Sequence, residues 1–161
     1  MRESELEYFD LWGTRDADPF NFFGLRTPHA VRRAFAENGL LSPEDGTLLV
    51  VDEDGQTVGD VGWHAQEYGP GLQSRAYNIG IRLLPERRGQ GIGGRAQRHL
   101  AEYLLATYPV NRIEALTDVE NVAEQRALEK AGFTREGIVR GAQWREGAFH
   151  DLVSYSLLRG D

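Results

Sequence analysis

One ten-residue junction constrains this chain more than any other feature. Pro85-Glu86-Arg87-Arg88-Gly89-Gln90-Gly91-Ile92-Gly93-Gly94 joins an Ile- and Leu-rich run, Arg75 to Leu84, to a segment with Ala96, Leu100, Leu104 and Thr107 at helical spacing. The first reads as a strand that Pro85 ends, the second as a helix that Pro109 closes. Gly89, Gly91 and Gly93 remove the Cβ atoms that would hold a ligand away from the backbone. The first N–H groups of the helix lack internal partners and carry the positive end of its dipole. Such a terminus holds phosphate or pyrophosphate. Arg87 and Arg88 place bidentate phosphate donors beside it.

The charge elsewhere makes this cationic turn stand out. The 161 residues carry a net charge of −7. Lys130 is the one lysine, and five arginines fall between Arg82 and Arg98. A chain this acidic lacks the basic footprint of a nucleic-acid binder. Its surface suits a cationic partner, such as an amine, a polyamine or a basic peptide, and equally serves solubility. The absence of Cys excludes disulfides, thiolate zinc sites, Fe–S clusters and a cysteine nucleophile. The four His residues, 29, 64, 99 and 150, show no metal-ligand spacing, and there is no G-x-S-x-G elbow. No apolar run approaches the roughly 20 residues that span a bilayer. With no disulfide framework and no secretory leader, a cytoplasmic location is the expectation. The length fits one domain, 1–161.

Along the chain, Ser4 with Glu7 fits a capping box ahead of Leu6, Tyr8, Phe9, Leu11 and Trp12, which predicts a first helix. Thr14 to Leu25 reads as a loop carrying Phe20, Phe22 and Phe23. A second helix starts at Thr27-Pro28 and stops at Asn38-Gly39. Thr47–Asp52 and Thr57–His64 flank Asp54-Gly55 as a hairpin. Val110–Asp118 is a strand, and Asn121 opens a short helix that Gly132 ends. Phe133–Arg145 and Ala148–Leu158 form a closing hairpin around Glu146-Gly147. The hairpins supply antiparallel pairs, and the unit from Arg75 to Asp118 supplies a right-handed parallel crossover. The layout is α/β with a mixed sheet.

The turn does not end in the Gly-Lys-Ser/Thr of a Walker loop. Gly89, Gly91 and Gly94 satisfy the dinucleotide fingerprint, with Glu114 about 20 residues on. Against a nicotinamide-dependent oxidoreductase stand the four residues between strand and first glycine, and the hairpins in place of repeated parallel units. A purely structural glycine turn is the remaining alternative.

Arg88-Gly89-Gln90-Gly91-Ile92-Gly93 resembles the Q/R-x-x-G-x-G/A signature of the GNAT family of N-acetyltransferases. Asn78 to Glu86 is similar to the strand that precedes it there. Asn121, then Leu128-Glu129-Lys130-Ala131-Gly132-Phe133 and Glu136-Gly137, resembles the ribosomal-protein N-terminal acetyltransferase (Rim-type) branch, as does Asp151 to Leu158. The resemblance covers roughly residues 47–158. It implies the acyl-CoA N-acyltransferase fold: a mixed, strongly twisted sheet with splayed central parallel strands, here Arg75–Leu84 and Val110–Asp118, flanked by helices. It further implies acetyl-CoA as co-substrate. The pantetheine arm would bond along Ile81 and Leu83, as an added strand does. The diphosphate would rest on residues 88–94, with Arg87, Arg88, Gly89, Gln90, Gly91, Gly93 and Gly94 as contacts and Asn121 beside the arm.

The implied reaction is direct attack of a primary amine (a protein N-terminus, a polyamine or a small amine such as an antibiotic) on the thioester. The amine must first lose a proton, which calls for a base. A backbone N–H of the splayed strand would hold the oxyanion. Glu114 is the first candidate base, or a partner of Arg112; His64 is the second, or a packed strand residue. Many members have Tyr where this chain has Leu128, and the Rim-type branch often has Ser where it has Glu124. Neither usual acid is present, which leaves solvent or another hydroxyl, with Tyr155 the candidate, to serve as the acid, and a catalytically silent acyl-CoA-binding module as the rival reading. Phe20, Phe22, Phe23 and Trp63 either wall the acceptor site or pack the core. Most members open with a strand before the first helix; its lack here would leave a sheet edge that a homodimer could cover.

Overall fold

The computed structural model describes residues 1–12, 19–20 and 28–161. Six strands form one sheet in the order β1-β2-β3-β4-β6-β5: β1 Asp45–Val51, β2 Thr57–Glu67, β3 Arg75–Leu83, β4 Arg112–Asp118, β5 Thr134–Arg145 and β6 Ala148–Leu158. The β3–β4 pair is parallel, and the other neighbours among the described residues are antiparallel. This is the mixed sheet expected, and not the run of parallel units that a dinucleotide fold requires. The helices are α1 Pro28–Asn38, α2 Ile92–Thr107 and α3 Val122–Lys130.

The core lies between one face of the sheet and α2. Tyr77 and Ile79 of β3, Ile113 and Ala115 of β4, and Val153, Tyr155 and Leu157 of β6 alternate toward that face. Leu100, Ala101 and Leu104 of α2 meet them. Leu100 and Leu104 are buried and Ala96 packs against them as the spacing predicts, Gln97 and Ala101 join that face, and Thr107 is exposed. Trp63 belongs to this core, with its ring 6.4 Å from that of Tyr103 in α2. It therefore stands on the opposite face from the acceptor side described below.

The opening segment corrects one expectation. Glu3–Trp12 is a 3-10 helix, and no Ser4–Glu7 capping box forms; Glu5 instead takes the Arg2 guanidinium. Long-range contacts fix this segment. Leu6 and Tyr8 are buried, the Tyr8 hydroxyl donates to Asp60 at 3.0 Å, and Arg82 stacks over Phe9 at 5.8 Å. Burial of these side chains on the second face of the sheet outweighs the local capping signal. The loop expected from Thr14 to Leu25, with Phe22 and Phe23, lies outside the described residues apart from 19–20. Among the described residues no helix is long and apolar enough to cross a membrane.

Candidate functional site

The central feature is a pair of strands that part company. β2 and β3 stay in register from Glu67↔Arg75 to Gly59↔Leu83. β3 and β4 pair only at Tyr77↔Ile113, Asn78↔Glu114 and Ile79↔Ala115. Beyond Ile79 the edge of β3 faces open space. The Leu84 N–H bonds the Val58 carbonyl of β2. Successive residues of a strand offer their amides to alternate sides, so Leu83 and Ile81 turn theirs toward the gap. The Leu83 carbonyl accepts there from Arg88 Nε at 3.0 Å.

A cleft of about 870 Å³ runs through this gap, a volume suited to a cofactor-sized ligand. The glycine turn lines it. Gly91 is the N-cap of α2 at φ 73°, a left-handed geometry that glycine alone adopts without strain, and no side chain caps the helix. The first N–H groups of α2 are thus open to an anion. Arg88, Arg95, Arg98, Arg126 and Lys130 line the same cleft. Gly94 lines the cleft too and has a second task. A Cβ there would lie 3.0 Å from the Ala127 carbonyl oxygen, so this glycine lets α2 and α3 pack closely. Asn121 caps α3 by accepting from the Glu124 N–H at 3.3 Å, and it also lines the cleft. Two expected contacts face elsewhere. Arg87 pairs with Asp52 at 3.1 Å, and the Gln90 amide donates to the Glu86 carbonyl at 3.0 Å; neither lines the cleft.

On the sheet face away from α2, the ladder sets His64, Asn78, Glu114 and Ser156 in one cross-strand row. The two candidate bases therefore share a face, two strands apart, roughly 10 Å at the usual strand spacing. His64 is exposed. Glu114 is buried; it takes the Tyr68 hydroxyl at 2.6 Å and pairs with Arg112, which also grips Glu136. The Glu136 carboxyl is held low by the Arg112 hydrogen bond, and the Tyr68 hydroxyl is pushed up by its bond to Glu114. Tyr155 lies on the core face, fully buried, where burial and its 3.1 Å bond to Glu129 raise its pKa.

Pro19, Phe20, Asp118 and Gln143 also line the cleft. Asp118, at the end of β4, forms a buried ion pair with Arg145 at 2.7 Å. Arg145 Nη1 also donates to the Phe20 carbonyl at 3.0 Å and to Gln143 Oε1 at 2.7 Å. Spacing gave no sign of this knot, because its members lie on three separated segments.

A family model described as an acetyltransferase (GNAT) domain matches residues 2–134. The chain belongs to the GNAT family. One curated GNAT relative, "Putative ribosomal N-acetyltransferase YdaF" of Bacillus subtilis (strain 168), is 33% identical over 129 residues, 80% of this chain and 64% of the relative. Another, "Uncharacterized N-acetyltransferase YoaA" of the same organism, is 27% identical over 65% of this chain and 56% of its own length. The chain thus spans less than two thirds of these curated relatives. Among solved structures, spermidine N-acetyltransferase from Vibrio cholerae with CoA and spermine superposes with a TM-score of 0.82 at 17% identity, covering 98% of this chain and 92% of that one. The ribosomal L7/L12 alpha-N-protein acetyltransferase RimL, in complex with CoA, gives 0.80 at 19% identity, covering 98% and 90%. These likenesses establish the GNAT fold, with β3 and β4 as its splayed pair.

Proposed function

We propose that this GNAT protein transfers an acetyl group from acetyl-CoA to a primary amine. The observation that carries the reading is the cleft through the splay, lined by the glycine turn, by arginines and by the unpaired edge of β3. The diphosphate would take the free N–H groups of Ile92 to Gly94, with Arg88 and Arg95 alongside. The pantetheine amides would bond to the gap-facing edge at Ile81 and Leu83, displacing Arg88 from the Leu83 carbonyl. Bound there, acetyl-CoA supplies an activated acyl carbon; the chain itself holds that carbon still while the amine arrives.

The amine lone pair attacks the thioester carbonyl, a C–N bond forms, and the oxyanion is stabilised by the free N–H of Ile81. The C–S bond then breaks, and the CoA thiolate leaves and takes up a proton. The proton lost by nitrogen goes to a base. Glu114 is our choice over His64, because it is buried on the strand that borders the gap and oriented by Tyr68 and Arg112. The two solved GNAT enzymes serve acceptors as unlike as a polyamine and a ribosomal protein N-terminus, so a primary amine is the class proposed.

A silent acyl-CoA-binding module is the second reading. It is favoured by Leu128, which is fully buried, and by the Tyr155 hydroxyl, which is bound to Glu129 away from the cleft lining. Thiol release from acetyl-CoA with a panel of polyamines, peptides and small amines separates the two. Release with at least one amine is expected. Tight CoA binding with no turnover on any of them would leave the silent module standing. Gly91→Glu, which adds a side chain and a negative charge at the helix N-terminus, is expected to abolish CoA binding in calorimetry.

A further inference from the structure

Gly80 has no reason within the described protein to be glycine. It lies inside β3, where glycine weakens a strand. Its φ is not in the left-handed region, and apart from its two chain neighbours no atom of the described residues lies within 4 Å of a Cβ built on it. The neighbouring glycines of β2 differ. A Cβ on Gly62 would meet the Gly46 carbonyl at 3.0 Å, and one on Gly59 would run into the Arg82 carbonyl. Gly137, also with ordinary φ and open surroundings, sits at a bulge of the edge strand β5, which accounts for it. Gly80 sits on a central strand, one residue beyond the last paired position, and lines the cleft.

Its place suggests what the space is for. By strand alternation Gly80 shares the face of Asn78 and Arg82, away from α2. Asn78 registers with His64 on one side and Glu114 on the other. Gly80 is thus the next step along β3 from the row that holds both candidate bases, toward the gap. Across the gap Leu116 stands on the same face, 43% exposed.

We propose that Gly80 keeps room for a substituent on the carbon that bears the acceptor's amine, so that the protein accepts amines on branched carbons, such as an N-terminal residue with a side chain. This rests on the acetyltransferase reading. Leu116 forms the opposite wall, and the missing Cβ of Gly80 is the volume the substituent fills. A side chain at position 80 closes that volume and leaves only unbranched amines a path to the thioester.

The test compares wild type with Gly80→Ala and Gly80→Val on matched acceptors: one peptide with N-terminal Gly or Ala, and n-propylamine against isopropylamine. Wild type is expected to acetylate both members of at least one pair with kcat/KM values within a few-fold. Gly80→Val is expected to lose about tenfold or more on the branched member relative to the unbranched one, the range one methylene commands in a tight site, with Gly80→Ala between. The melting temperature is expected to hold or rise, since alanine and valine suit a strand better than glycine, and CoA affinity by calorimetry to stay within a few-fold. Equal loss on both members, or a wild type already confined to unbranched amines, overturns the inference and leaves the transferase reading intact. A wild type that binds no CoA overturns both.

Discussion

Replacing Asp118 by Asn isolates the charge of the ion-paired knot beside the cleft. The Arg145 side chain is 4% exposed and that of Asp118 1%, and they meet at 2.7 Å. Removing one member of such a pair strands the other charge in a poorly solvated site, which costs about 3–5 kcal/mol. An amide oxygen can still accept from Arg145, so about 3 kcal/mol is the appropriate figure. At about 2–4 °C per kcal/mol for a chain of this size, the melting temperature should fall by about 6–12 °C at pH 7. The pH dependence supplies a second check. Burial raises the Asp118 pKa, but the Glu120 N–H, the Arg145 guanidinium and the His150 charge outweigh it, and the net shift is downward. A carboxyl depressed in the folded state contributes fully above its unfolded pKa, about 3.9, and loses that contribution as pH falls through the folded value. The gap between wild type and Asp118→Asn in thermal denaturation should therefore persist at about pH 5 and shrink below about 4. A drop under about 2 °C at pH 7, or a gap that ignores acid, would refute the argument.

Gly94→Val should drive a side chain against the Ala127 carbonyl, 3.0 Å from the new Cβ, and separate α2 from α3. About 1–3 kcal/mol of stability should be lost in urea denaturation, with weaker CoA binding because the helix N-terminus shifts. Glu114→Gln should lower kcat about a hundredfold or more, as expected for loss of a general base, with CoA affinity unchanged in calorimetry. An effect confined to the melting temperature would leave Glu114 as the partner of Arg112 and Tyr68 alone.

The strand–turn–helix around Pro85 and Gly91 was readable because proline, glycine and helical spacing are local signals, and the structure places these elements within a few residues of the expected bounds. Hairpins were readable for the same reason: Glu146 and Gly147 both take the positive φ that a tight turn demands. Three things were not readable. Gly94 lines the cleft as the turn suggests, but it also serves helix packing, a contact with Ala127 that spacing does not encode. Tyr68 meets Glu114 across 46 residues, and Arg145 meets Asp118 across 27. Such pairings follow from sheet order, which hydropathy leaves open. The 3-10 form of Glu3–Trp12 depends on Asp60 and Arg82, residues far along the chain.

Residue-resolved amide hydrogen exchange with and without CoA addresses the splayed cleft most directly. The Ile81 amide faces the gap, whereas Gly80 and Arg82, by alternation, face β2. Adding CoA is predicted to slow exchange at Ile81 and at Ile92 to Gly94, while Gly80 and Arg82 hold their rates. Saturating CoA that leaves Ile81 exchanging as fast as before would contradict the account.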